Sequence, residues 1–108
     1  MKRGEVWWVE FDPAAVSEIR KTRPAIIVSN DAANRNLKRV VVVPLTSNTG
    51  RLYPSEALVE LQGKPAKAMA DQIMAADKNR LKSQLGALSK KDMLALEDAV
   101  KVHLSLAK

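Results

Sequence analysis

Four valines in succession, Val40 to Val43, followed by Pro44 and Leu45, form the most hydrophobic stretch of the chain. Strand side chains alternate between two faces, so an apolar run without alternation demands burial on both. In a chain of 108 residues that demand points to the middle of a barrel or a tightly curled sheet. The other short apolar segments fit around such a strand. Residues 5–11 (EVWWVEF) are aromatic and β-branched, with Trp7, Val9 and Phe11 on one face and Val6, Trp8 and Glu10 on the other. In so small a domain both tryptophans read as core residues. Ala25 to Val28 is a second strand. Residues 55–61 alternate, with Ala57, Val59 and Leu61 inward, residues 66–74 alternate weakly, and residues 82–88 form a last strand interrupted at Gly86.

Between these segments, residues 30–39 predict a turn or a single helical turn, and Gln62 to Pro65 and Asp77 to Leu81 predict turns. Ser89 with Asp92 three residues later resembles a capping box. Beyond it Met93, Leu96, Val100 and Leu104 keep helical spacing, which predicts an amphipathic C-terminal helix packed on the sheet. His103 lies at the margin of that stripe and reads as a packing or interface residue. The expected architecture is therefore mostly β: five to seven short strands in a small curled barrel or half-barrel, one terminal helix, and a single domain over residues 1–108.

Composition narrows the chemistry. The chain has no cysteine and one histidine, so it offers neither disulfides, nor thiolate metal sites, nor a multi-histidine centre. The opening segment MKRGEVWWVE is broken by Glu5 and Glu10 and reads as neither a signal peptide nor a membrane span, so a cytoplasmic protein is expected. The formal net charge is +6, with nine Lys/Arg against five Asp/Glu in residues 1–54 and nine against seven in residues 55–108. Such an excess favours a polyanionic partner through long-range attraction and counterion release.

The candidate site starts in the loop before the second strand. Residues 17–23 (SEIRKTR) hold Glu18 and three cations, Arg20, Lys21 and Arg23, and Pro24 turns the chain into the apolar strand. Three neighbouring cations cannot all be buried without counter-charges, so the strand anchors what the loop displays. Thr46 ends the valine strand, Ser47 and Asn48 follow it, and Asp71-Gln72 marks the expected end of a third strand. If these ends meet, they form a shallow basic cleft with one carboxylate and several hydroxyls. That set suits metal-independent cleavage of RNA by its own 2′-hydroxyl, because the nucleophile comes with the substrate. Arg23 can fork onto the phosphate and Thr46 can hydrogen-bond to it, with no metal or other cofactor.

Four segments resemble the MazF/PemK toxin family of toxin–antitoxin systems: KRGEVWWVEFDP at 2–13, SEIRKTRPAIIVSN at 17–30, VVVPLTSN at 41–48 and ADQIMAADKNRL at 70–81. The resemblance implies an SH3-like barrel, a homodimer, and a sequence-specific endoribonuclease that leaves a cyclic phosphate and a 5′-hydroxyl on single-stranded RNA. It places catalytic roles on Arg23, Thr46 and Glu18, and base reading on Asp71 and Gln72. Arg20, Lys21, Ser47, Asn48 and Tyr53 complete the RNA-binding set. It also implies a cognate antitoxin whose acidic segment occupies the basic groove. The family loop reads GSEQxGxRP, whereas Val16, Ile19 and Lys21 stand here at the first glycine, the glutamine and the second glycine. Loss of both glycines stiffens the loop, and Lys21 adds a phosphate contact. Because guanidinium is not deprotonated near neutral pH, Arg23 is assigned to charge stabilisation and Glu18 to proton removal. Two readings stand beside this one: a toxin of the same fold that poisons a protein target, and a non-catalytic RNA-binding barrel.

Overall fold

The computed structural model describes residues 1–11 and 22–106. Seven antiparallel strands form one curled sheet: β1 (Glu5–Glu10), β2 (Thr22–Ile27), β3 (Arg39–Thr46), β4 (Glu56–Leu61), β5 (Lys64–Met69), β6 (Met74–Asp77) and β7 (Leu81–Ala87). Their order is β4-β5-β3-β2-β1-β7, with β6 also pairing with β3. Helix α1 (Asp31–Asn36) links β2 to β3, and α2 (Lys90–Leu104) follows β7.

The valine strand is central, as its composition demands. Val40 and Val42 enter one apolar cluster with Val9, Phe11, Ala25, Ile27, Ala76 and Leu81. Val43 and Leu45 enter the other, with Val6, Ile26, Val59, Ala68 and Leu96. Burial on both faces thus splits the chain into two small cores, one under α2 and one on the other face of β1, β2 and β3. Pro44 explains the curl. Residues 39–42 of β3 pair with β6 and residues 45–46 pair with β5, so the proline, which has no N–H, sits where the strand changes partners. The outer strands also approach each other, since Gln62 Nε2 donates to the carbonyl of Leu85 at 3.0 Å.

Three local expectations need correction. The 66–74 segment is not one strand: β5 stops at Met69 and a 3-10 turn, Ala70–Gln72, precedes β6. Asp71-Gln72 therefore lies at a corner between strands rather than at a strand's end. The turn at 62–65 is shorter than expected, because Gln62 and Gly63 both adopt positive φ (52° and 79°) and Leu61 already pairs with Lys64. Two residues suffice for such a hairpin. Finally, α2 buries Met93, Leu96 and Ala99 and half-buries Val100, but Leu104 lies 47% exposed past the end of that stripe. The helix begins as expected, with Ser89 accepting from the Asp92 N–H, and ends where Ser105 adopts the left-handed conformation. His103 is exposed and meets Ser55 Oγ at 3.2 Å through Nδ1. Trp7 and Trp8 are half-buried, and Trp7 packs against the cluster of Val40 and Val42.

One buried polar residue, Asn34, has its needs met locally. Its amide nitrogen donates to the carbonyl of Ser29, its oxygen takes the Ser29 hydroxyl, and Ser29 Oγ accepts from the Val41 N–H. This network fixes α1 against β3 at the end of the sheet away from Arg23. Among the described helices, none is long and apolar enough to cross a membrane.

Candidate active site

The antiparallel register of β2 and β3 pairs Ala25 with Pro44, Ile26 with Val43 and Ile27 with Val42. Continued two residues beyond its last pair, that register sets Arg23 opposite Thr46. On either side the row is extended by hydrogen-bonded partners: Val9 of β1 pairs with Arg23, and Lys67 of β5 pairs with Thr46. Leu58 of β4 pairs with Lys67 in turn. Residues opposite one another share a face of the sheet. Val9, Arg23, Thr46, Lys67 and Leu58 therefore form a lateral row across five strands, on the face lined further in by Ala25, Ile27 and Val42. On β2 and β3 the apolar cluster ends where this row begins, and charge and hydroxyl replace methyl groups.

Arg23 and Thr46 are both half-buried, which leaves each side chain supported and accessible. Thr46 Oγ1 accepts from the Asn48 N–H at 3.2 Å, which uses a lone pair and keeps the hydroxyl hydrogen for donation. Asn48 Oδ1 accepts from the Gly50 N–H at 3.2 Å, so the polar turn after β3 is ordered by its own side chains. Ser47 and Asn48 are exposed beside Thr46. Asp71 and Gln72 are exposed on their 3-10 turn, and Gln72 Nε2 reaches Met69 Sδ at 3.4 Å. Met69 lies two residues from Lys67 on the same face of β5, so Gln72 leans toward the row. Tyr53 is 53% exposed in the segment between β3 and β4. Glu18, Arg20 and Lys21 lie outside the described residues.

Sequence reasoning passed over a second group. Lys67 Nζ is 3.3 Å from Glu56 Oε1, with only 12% and 11% of the two side chains exposed. The same ammonium donates to the carbonyl of Arg51 at 2.9 Å, and the Tyr53 N–H donates to Glu56 Oε1 at 2.9 Å. The two-residue turn at Gln62-Gly63 could have revealed the pair, since it sets Leu58 opposite Lys67 and Glu56 on the diagonal. A separate cleft of about 260 Å³ opens beside Val9, lined by Phe11, Met74, Arg39 and Arg80 among others. Arg39 lies 3.9 Å from Asp77, and Arg80 Nη1 donates to the carbonyl of Glu10. Glu10 and Asp77 also line this cleft, so its two cations are balanced by two carboxylates.

The opposite end of the sheet has another character. Burial by itself would raise the Glu5 carboxyl, but the Trp7 indole N–H, the Lys2 N–H and nearby positive charge outweigh it and hold it below its ordinary 4.5. The Arg3 backbone N–H likewise holds Asp31 below its ordinary 3.8, helped by the Asn34 amide and against a slight burial cost. Arg3 also forms a 2.7 Å ion pair with Glu97 of α2. These carboxylates are tied into structure, in contrast to the row containing Arg23.

Comparison with known proteins places this arrangement. Residues 2–104 match the family model described as PemK-like, MazF-like toxin of type II toxin-antitoxin system. The chain is 39% identical to the endoribonuclease MazF9 of Mycobacterium tuberculosis, over 98% of both chains. It is 32% identical to the endoribonuclease MazF of Staphylococcus saprophyticus, over 98% of this chain and 92% of the relative. A solved mycobacterial endoribonuclease in complex with its cognate antitoxin superposes with a TM-score of 0.83 at 28% identity, covering 100% of this chain and 98% of the other. The MazF structure of Deinococcus radiodurans superposes equally well, at 0.83 and 24% identity over 98% and 97% of the two chains, and shares the fold. With the family model spanning nearly its full length and MazF relatives aligned from end to end, the chain belongs to the PemK-like, MazF-like toxins of type II toxin–antitoxin systems.

Proposed function

We propose that the chain, acting as one toxin domain, is a metal-independent, sequence-specific endoribonuclease that cuts single-stranded messenger RNA in the cytoplasm. The observation that carries this reading is the β2–β3 register, which sets Arg23 opposite Thr46 at the rim of a basic face. In the reaction, the 2′-oxygen of the substrate attacks the adjacent phosphorus and the bond to the 5′-oxygen breaks. The 2′-proton leaves to a base, the 5′-oxygen gains a proton, and the products are a cyclic phosphate and a 5′-hydroxyl. Arg23 binds the non-bridging oxygens as charge builds on them, and Thr46 adds a hydrogen bond. Glu18 takes the 2′-proton when the loop meets substrate. Arg20 and Lys21 contact flanking phosphates, while Ser47, Asn48, Tyr53, Asp71 and Gln72 meet neighbouring nucleotides.

The relatives' names support the endoribonuclease reading, and the solved toxin–antitoxin complex supports a cognate antitoxin for this chain. An acidic segment of that antitoxin matches the net charge of +6 and competes with RNA for the row. We further read the protein as a homodimer. The groove of about 380 Å³ between α2 and β3, lined by Val28, Val41, Ile73 and Leu96 among others, supports that assembly. So do the exposed Leu94, Val102 and Leu106 nearby.

Purified protein, a mixed-sequence single-stranded RNA and EDTA test the reading. Cleavage that persists in chelator and disappears in Arg23→Ala and Thr46→Ala is the expected result. Tight binding without products would leave the RNA-binding barrel, and neither binding nor cleavage would overturn the reading in favour of a protein target.

A further inference from the structure

We propose that Arg51 and Tyr53 form a stacking platform for the base of a nucleotide next to the scissile phosphate, and that Lys67 and Glu56 are the positioning residues that hold it. The proposal rests on the RNA-cleaving reading and adds to it a subsite and three residues. The Arg51 guanidinium lies over the Tyr53 ring, 5.8 Å from its centroid, and Arg51 Nη1 donates to Tyr53 Oη at 3.3 Å. The arginine sits toward the hydroxyl end of the ring, and Tyr53 remains 53% exposed, so an aromatic surface stays open to solvent. A nucleobase fits such a surface, because every base has a π-face and a guanidinium reinforces the stack.

The way this segment is held carries the argument. The carbonyl of Arg51 accepts from Lys67, and the N–H of Tyr53 donates to Glu56. The Glu56 N–H returns to the carbonyl of Tyr53 at 2.9 Å. An ion pair removed this far from water costs desolvation that its own attraction barely returns, so it is weak support for stability alone. Its two charged groups are instead spent on two backbone atoms of one exposed segment. Lys67 is also the strand partner of Thr46, so the platform is referenced to the same row as the reacting phosphate. Rigid seating of an aromatic side chain beside the cut holds the neighbouring base, and with it the substrate backbone, in one place.

The chain contains one tyrosine, so a ring-labelled tyrosine gives signals from Tyr53 alone. With an RNA carrying a 2′-deoxy sugar at the cleavage position, these signals shift upfield on binding to the wild type. In Lys67→Met combined with Glu56→Met, which removes both charges together, the shift collapses. In cleavage of one RNA, KM then rises about tenfold with kcat little changed, in the double variant, in Arg51→Met and in Tyr53→Ala, as the loss of one stacked base requires. If the double variant fails to fold by circular dichroism, Arg51→Met and Tyr53→Ala decide the question. A wild type that cuts RNA with no Tyr53 shift, or variants that keep the wild-type KM, overturns the platform and leaves the nuclease standing. A wild type that neither binds nor cuts RNA overturns the nuclease reading itself.

Discussion

The two apolar clusters of this small barrel share strands β1, β2 and β3, each taking alternate residues, yet they end differently. The cluster under α2 is sealed: Val6, Ile26, Val43 and Leu96 are completely buried, or nearly so, and the helix covers them. The cluster on the other face is equally dry at Val9, Ile27 and Val42, but beyond Ala25 and Pro44 it gives way to Arg23 and Thr46. Because a strand side chain has only two directions, the face not covered by a helix is where polar groups can sit on a rigid base. Both faces carry a buried core, and the chemistry sits at the rim of the one that no helix covers.

The sharpest way to break that division is to exchange the effects. Arg23→Ala should lower kcat/KM by about a thousandfold, the upper range for removing one preorganised charge-stabilising donor, while the melting temperature moves only a few degrees. Leu96→Ala should do the reverse. It leaves a cavity under α2, costs about 3 kcal/mol and lowers the melting temperature by roughly 10–20 °C, with activity of the folded fraction retained below the transition. A large activity loss in folded Leu96→Ala, or a collapse of stability in Arg23→Ala, would show that the two faces are not separable.

Smaller changes refine the same contrast. Thr46→Val keeps shape and removes the hydroxyl, so cleavage should slow by about ten- to a hundredfold with little change in unfolding. Ser89→Ala removes the N-cap of α2 and should cost about 1 kcal/mol of stability without altering base preference. Acid acts on the far end of the sheet. Glu5 and Asp31 have carboxyls held below their ordinary 4.5 and 3.8, so their stabilising contribution is present above those values. It is lost as pH falls through the lower folded-state values. In thermal melts from pH 6 to pH 3, the gap between wild type and Glu5→Gln should therefore narrow toward the acid end.

Much of this was legible in the residues. The unbroken valine run required a strand buried on both faces, and Val40, Val42, Val43 and Leu45 divide between the clusters accordingly. Ser89 and Asp92 marked the start of α2 correctly. What escaped was set by long-range geometry. Asp71-Gln72 read as part of a strand because alternation continues through Ala66 to Met74, and only the change of partners at Pro44 requires a corner there. Lys67 stands between two alanines, and nothing in its local sequence marks it. Its role depends on the Gln62-Gly63 turn being two residues long, which fixes Glu56 diagonally across the hairpin. Glu18, Arg20 and Lys21 remain as the sequence presents them, candidates for proton removal and phosphate binding.

A double-mutant cycle on cleavage addresses the central claim, that Arg23 and Thr46 act on one phosphate. Rates for wild type, Arg23→Ala, Thr46→Val and the combined variant are measured on one RNA in EDTA. Two groups serving the same transition-state charge should be strongly non-additive, so the double variant should be little slower than Arg23→Ala alone. Losses that simply multiply would mean that the guanidinium and the hydroxyl work independently, and would contradict a shared site.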